Sequence, residues 1–165
     1  MKAIDLMKAA WDMSHAMVLP LIEDMKDHAT TAPTPSGGNH PLWVLGHLTF
    51  SQGRIRQIML GEPNPIEAWQ PLFKAGTQPV ADAGHYPPFD EILAKYKELY
   101  TTNRAFLDSL SDDDLDTPSA NAPEGFEKFF GTYGQCLLLV VMNQMHHRGQ
   151  LADARRAANR GPLTI

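Results

Sequence analysis

A chain of 165 residues, 43% hydrophobic and 20% charged, is long enough to bury a sizeable core and suits one domain spanning 1–165. Its net charge of -5 and pI near 5.7 leave no broad basic field to neutralise phosphates, which argues against a nucleic-acid partner. No apolar run approaches the about 18 residues of a membrane span, and no signal-peptide core follows Met1, so a cytoplasmic protein with no membrane partner is the default expectation.

Residues from about 3 to 28 read as an amphipathic helix with Leu6, Ala10, Met13, Met17, Leu21 and Met25 as its apolar stripe. Met7, Met13, Met17 and Met25 read as core filler. Pro20 should kink this helix, and His15 and His28 read as surface residues. The stretch Thr30–Gly38, with two prolines and two glycines, marks a break.

A second helix is expected from Pro41, with Asn39 or His40 as cap, to about Leu60, where Gly61 and Pro63 stop it. Val44, Leu48, Ser51, Ile55 and Ile58 form one inward row, and Trp43, His47, Phe50 and Arg54 an adjacent one. Gly46 and Gly53 permit close approach of a neighbouring helix. Residues 62–87 are proline-rich and aperiodic, a crossover-length connection anchored by Trp69, Leu72, Phe73 and Tyr86.

The third helix follows Pro87-Pro88. Its seam is Phe89, Ile92, Tyr96, Leu99, Asn103, Phe106 and Leu110. Ser111–Phe130 is a second long connection, with a solvated turn at Asp112–Asp114 and aromatic anchors at Phe126, Phe129 and Phe130. The fourth helix, about 132–159, begins with an apolar run that holds Cys136, read as a small buried hydrophobe. Arg148, Arg155, Arg156 and Arg160 suit the negative end of its dipole. Four long helices with two crossover-length loops imply an all-α four-helix bundle of something other than simple up-down-up-down order.

On the fourth helix Val140, Asn143, His147, Leu151, Ala154 and Ala158 share one face. It carries two polar side chains one turn, ~6 Å, apart toward the core, while His146 is turned about 100° away. Buried polar groups must be satisfied, by a hydrogen-bond network or by a metal. His47 and His147 come from separate helices, as bundle metal ligands do. Neutral imidazoles suit zinc, nickel, iron or copper; Asn143 can add only a carbonyl oxygen, a weak ligand for these metals. His40 is two turns from His47 and reads as a helix-start residue, and His85 as a loop residue. The chain has no setting for a nucleophilic serine and no glycine-rich phosphate loop, so no catalytic residue is assigned.

The segment Asn39-His40-Pro41-Leu42-Trp43-Val44-Leu45-Gly46-His47-Leu48, with His147-Arg148-Gly149-Gln150-Leu151, resembles the DinB-like family, also described as YfiT-like metal-dependent hydrolases. The resemblance spans essentially the whole chain. It implies an up-down-down-up four-helix bundle, often a homodimer, with long crossover loops between helices two and three and between helices three and four. It also implies a divalent metal such as zinc or nickel on three histidines, matching His47, position 143 and His147. Here Asn143 departs from that set, so the metal is held weakly by His47, Asn143 and His147, or the site has decayed. Gly149 then reads as a close-packing position and Gln150 as a group supporting a ligand. Family members of known activity include metal-dependent transferases and isomerases that use a low-molecular-weight thiol. The expectations are therefore a thiol S-transferase or hydrolase, or else a metal-free small-molecule-binding or dimeric interaction protein.

Overall fold

The computed structural model describes residues 1–28, 30–32 and 37–163. Part of the Thr30–Gly38 break, residues 33–36, lies outside them. The described residues are helical with no strand, apart from an isolated bridge between Pro118 and Thr132. Four long helices are α1 (Ala3–Asp24), α2 (Pro41–Leu60), α4 (Phe89–Asp108) and α6 (Tyr133–Ala157). Two short ones lie in the connections, α3 (Gln70–Phe73) and α5 (Glu127–Phe130). None of the described helices is long and apolar enough to cross a membrane.

The bounds of α2 follow local chemistry. His40 caps it, its Nδ1 accepting from the Trp43 N–H at 3.0 Å, and Pro41 fills the first position, where no N–H is needed. Gly61 ends it at φ 74°, a left-handed conformation that suits glycine. α6 starts at Thr132, which forms a capping box with Gln135. The first turn of α1 is capped from a distance, the Asp112 carboxylate accepting from the Ile4 N–H at 2.8 Å. That contact gives the Asp112–Asp114 turn a role beyond solvation.

Two apolar clusters stack along the helices. One joins Val18, Leu21 and Ile22 of α1 to Leu42–Phe50 of α2, Ile92, Tyr96 and Leu99 of α4, and Leu151 of α6. The other joins Ile4 and Trp11 to Ile55, Ile58 and Met59, to Leu107, and to Cys136, Leu137 and Val140. The start of α1 therefore shares its cluster with the ends of α2 and α4 and the start of α6. Asn103 ties α4 to α2, donating to the Gln52 carbonyl at 3.1 Å.

The inward row of α1 is Ile4, Trp11, Val18, Leu21 and Ile22; of the expected stripe Leu21 and Met25 are buried, and the earlier positions are not. Leu6 is 60% and Met13 58% exposed, so Met13 is not core filler. Apolar residues lie on two rows of this helix, and spacing alone does not say which one faces inward. His15 is half-buried, stacked on Tyr100 with ring centres 3.6 Å apart, and His28 is half-buried too. The helical run continues through Pro20 to Asp24. Phe126 and Phe129, expected as anchors, are 55% and 44% exposed; only Phe130 packs against the core.

The crossover between α2 and α4 is ordered, with Phe73 and Tyr86 buried in the first cluster. It accounts for the small residues of α2. A Cβ on Gly46 would fall inside the Phe73 ring, and one on Gly53 would collide with the Asn64 side chain. What approaches these glycines is the crossover, not a neighbouring long helix.

Candidate functional site

His47 lies on the first half of α2, which is buried on nearly every side. The crossover fixes its ring. Its Nδ1 donates to the Phe73 carbonyl at 2.7 Å, an acceptor that sets the tautomer and leaves Nε2 as the lone-pair nitrogen. Trp43, one turn earlier, stacks on the imidazole with centres 4.8 Å and planes 7° apart. The Trp43 Nε1–H is held by the Thr77 hydroxyl at 3.0 Å. His40 bonds to the Val80 carbonyl at 2.9 Å, tying the start of α2 to the same crossover.

His147 comes from the buried face of α6. Its Nδ1 donates to Gln150 Oε1 at 2.8 Å, since an amide oxygen can only accept. Gln150 is a junction: Asn39 donates to the same oxygen at 3.2 Å, and Gln150 Nε2 donates to His146 Nε2 at 3.2 Å. His146 is exposed, and its ring meets His147 edge-on. The structure brings the rings of His47 and His147 together at 4.8 Å between centres. Asn143 is half-buried, its amide donating to Ser51 Oγ at 3.4 Å, and its side chain opposes the fall of the His47 pKa.

Burial dominates the electrostatics. It pushes the His147 pKa down to about 4, with the nearby His47 adding to the shift and Gln150 opposing it. Burial also lowers His47, against the Phe73 carbonyl and Asn143. Both imidazoles are therefore neutral at pH 7, the form that coordinates metals. Two imidazoles on one tetrahedral ion at ~2.0–2.1 Å have ring centres roughly 5 Å apart, so this pair fits a shared divalent ion. The third position does not match as well. Among the described residues no set of three His, Cys, Asp or Glu side chains gathers to hold an ion, and Asn143 brings an amide where an imidazole would be stronger.

A cavity of about 410 Å³ opens between α2 and α6 beside this group. His47 and Asn143 border it; His147 is not one of its wall residues. Its walls are mostly apolar, with Ile55, Ile58, Leu139 and Val140 below and Phe126 and Phe130 near the connection. The volume suits a small organic molecule.

Several supporting groups were not evident from spacing. The Phe73 carbonyl is on the crossover, where periodicity is silent. Gln144, buried and accepting from the Tyr96 hydroxyl at 2.8 Å, sits on α6 beside Asn143, and its residue type alone does not announce burial. Gly149 is not a close-packing position, since a Cβ there would meet nothing within 4 Å. Arg155 and Arg160 do more than face a helix dipole: both bind the Asp24 carboxylate, Arg155 through Nε at 2.7 Å.

Among curated proteins, none matches the chain. A sequence profile of the DinB superfamily, however, matches residues 10–151. That span takes in both histidine-bearing helices and most of the chain, and the protein belongs to the DinB superfamily.

Proposed function

We propose that this protein is a divalent-metal-dependent enzyme of the thiol S-transferase or hydrolase class, with zinc or nickel held by His47 and His147 and, weakly, by Asn143. The observation that carries this reading is the pairing of two neutral, buried imidazoles. Their Nδ1 atoms are both committed to acceptors, and their ring centres lie 4.8 Å apart beside a cavity. A bound divalent metal would lower the pKa of a low-molecular-weight thiol or a water and so supply a nucleophile.

The chain's own residues do the rest. The Phe73 carbonyl and Gln150 hold the rings in orientation and keep Nε2 unprotonated. Trp43, buried against His47, keeps water from the back of the ring. The cavity receives the substrate where His47 and Asn143 border it. Titrating the protein with zinc or nickel tests the reading. Binding near one ion per chain, lost in His147→Ala, is expected; no binding, or binding unchanged in that variant, overturns it.

A second reading has one observation in its favour, the hydrogen bond that Asn143 gives to Ser51 of the facing helix beside His47. In it the group is a metal-free polar network in a small-molecule-binding protein. Its sign is that Asn143→His creates metal binding that the wild type lacks.

We further infer an up-down-down-up four-helix bundle, on the support of the two clusters that pair the start of α1 with the ends of α2 and α4 and the start of α6. A homodimer belongs to the same reading. Light scattering at micromolar concentration should return twice the chain mass, and a monomer mass would count against it.

A further inference from the structure

Of the chain's arginines, Arg56, Arg104, Arg155, Arg156 and Arg160 each pair with a carboxylate. Arg54 does not. It lies half-buried on the wall of the cavity, and among the described residues no hydrogen bond, ion pair or ring contact engages its guanidinium. No Asp or Glu lines the cavity either. A cation on the wall of a mostly apolar recess, with no carboxylate partner among the described residues, is a binding partner for an anion.

The placement along α2 gives the ligand a length. His47, Ser51 and Arg54 follow one another at four- and three-residue steps, all on the cavity wall. Seven residues at 1.5 Å rise separate His47 from Arg54 by ~10.5 Å along the axis. On α2 the wall residues between them are Phe50 and Ser51, and the recess is otherwise lined by apolar side chains, Ile55, Ile58, Phe130 and Val140 and the exposed ring of Phe126 among them. A ligand matching both ends is about ten ångströms long, with an apolar body for the apolar walls and an anion at the Arg54 end.

We propose that the cavity binds small monocarboxylates with an aromatic or aliphatic body, the carboxylate on Arg54 and the far end at His47 and Asn143. The forked guanidinium suits a planar carboxylate. A single arginine with His47, Ser51 and Asn143 as the other polar wall residues lacks the donors that a phosphate dianion would call for, since the His47 Nδ1–H is already given to the Phe73 carbonyl. This assignment rests on the reading of the cavity as the substrate site, but not on the metal.

The experiment uses 4-phenylbutyrate and its neutral amide as probes on the full chain, first dialysed against a chelator. Calorimetry should show the acid binding at least tenfold more tightly than the amide in wild type. Arg54→Gln should bring the acid to the affinity of the amide and leave the amide unchanged, with Arg54→Lys intermediate. Equal affinity for acid and amide, acid binding untouched by Arg54→Gln, or failure of both to bind would overturn the proposal. The acid–amide comparison in wild type stands even if the variant misfolds. Zinc titration of the same protein reads the metal assignment separately, so carboxylate binding without zinc binding would sink only the metal.

Discussion

The imidazole of His47 and that of His147 lie 4.8 Å apart, centre to centre, with their planes at 59°, although the residues are a hundred positions apart in the chain. One ring is oriented by a carbonyl of the crossover and the other by a side chain on its own helix. Only the third neighbour, Asn143, falls short of what a tightly held metal calls for.

Restoring that neighbour should strengthen the site. Asn143→His is expected to raise zinc or nickel affinity at least tenfold over wild type, measured by calorimetric titration. An unchanged affinity would mean that position 143 does not reach the ion.

Gln150 fixes the His147 ring through a single 2.8 Å bond. Gln150→Leu should lower metal affinity by about 10–100-fold, the usual consequence of losing such support. It should cost only about 1 kcal/mol in a urea melt, because the glutamine is half-buried and not part of the apolar clusters.

Acid should destabilise the metal-free protein well before carboxylates protonate. His15 and His147 titrate near 4 in the folded state, and His40 and His47 are lowered as well, all chiefly by burial. The unfolded chain takes up these protons at about 6.5, so between pH 6.5 and 4 it binds more protons than the native state and stability falls as pH falls. Urea melts across that window, with chelator present, should show the loss. His147→Gln should flatten it. Below pH 4 a further loss is expected from Asp24, whose carboxyl Arg160 and Arg155 hold well below the usual range.

Asp24 joins the end of α1 to the end of α6 through Arg155 and Arg160. Arg155 is buried, so Asp24→Ala leaves a guanidinium with no counter-charge and should destabilise by about 3 kcal/mol. The double variant Asp24→Ala with Arg155→Met should recover part of that loss in thermal or urea unfolding.

Gly46 leaves the space that the Phe73 ring fills. Gly46→Ala should cost about 1–3 kcal/mol through overpacking. By displacing Phe73 it should also loosen the carbonyl that orients His47, and because that acceptor opposes the effect of burial, the loss reads as a further lowered His47 pKa in an NMR titration.

The bounds of α2 and the seam of α4 are legible in the sequence because local rules govern them: a proline at the start, a left-handed glycine at the end, and apolar residues at three- and four-residue steps. The approach of His47 to His147 is legible as well, since each shares a helix face with buried neighbours. The inward row of α1 is not, because Leu6 and Met13 are as apolar as Ile4 and Trp11 and only the partner helices decide between them. Nor are the groups that orient the site. The Phe73 carbonyl carries no residue signature, and Phe126 and Phe130 are the same residue type, yet one is exposed and the other half-buried against the core.

Anomalous scattering at the zinc edge, from crystals grown with the metal, tests the central claim most directly. A single peak within coordination distance of Nε2 of both His47 and His147 is predicted. An absent peak, or one at His146 or elsewhere on the surface, would contradict it.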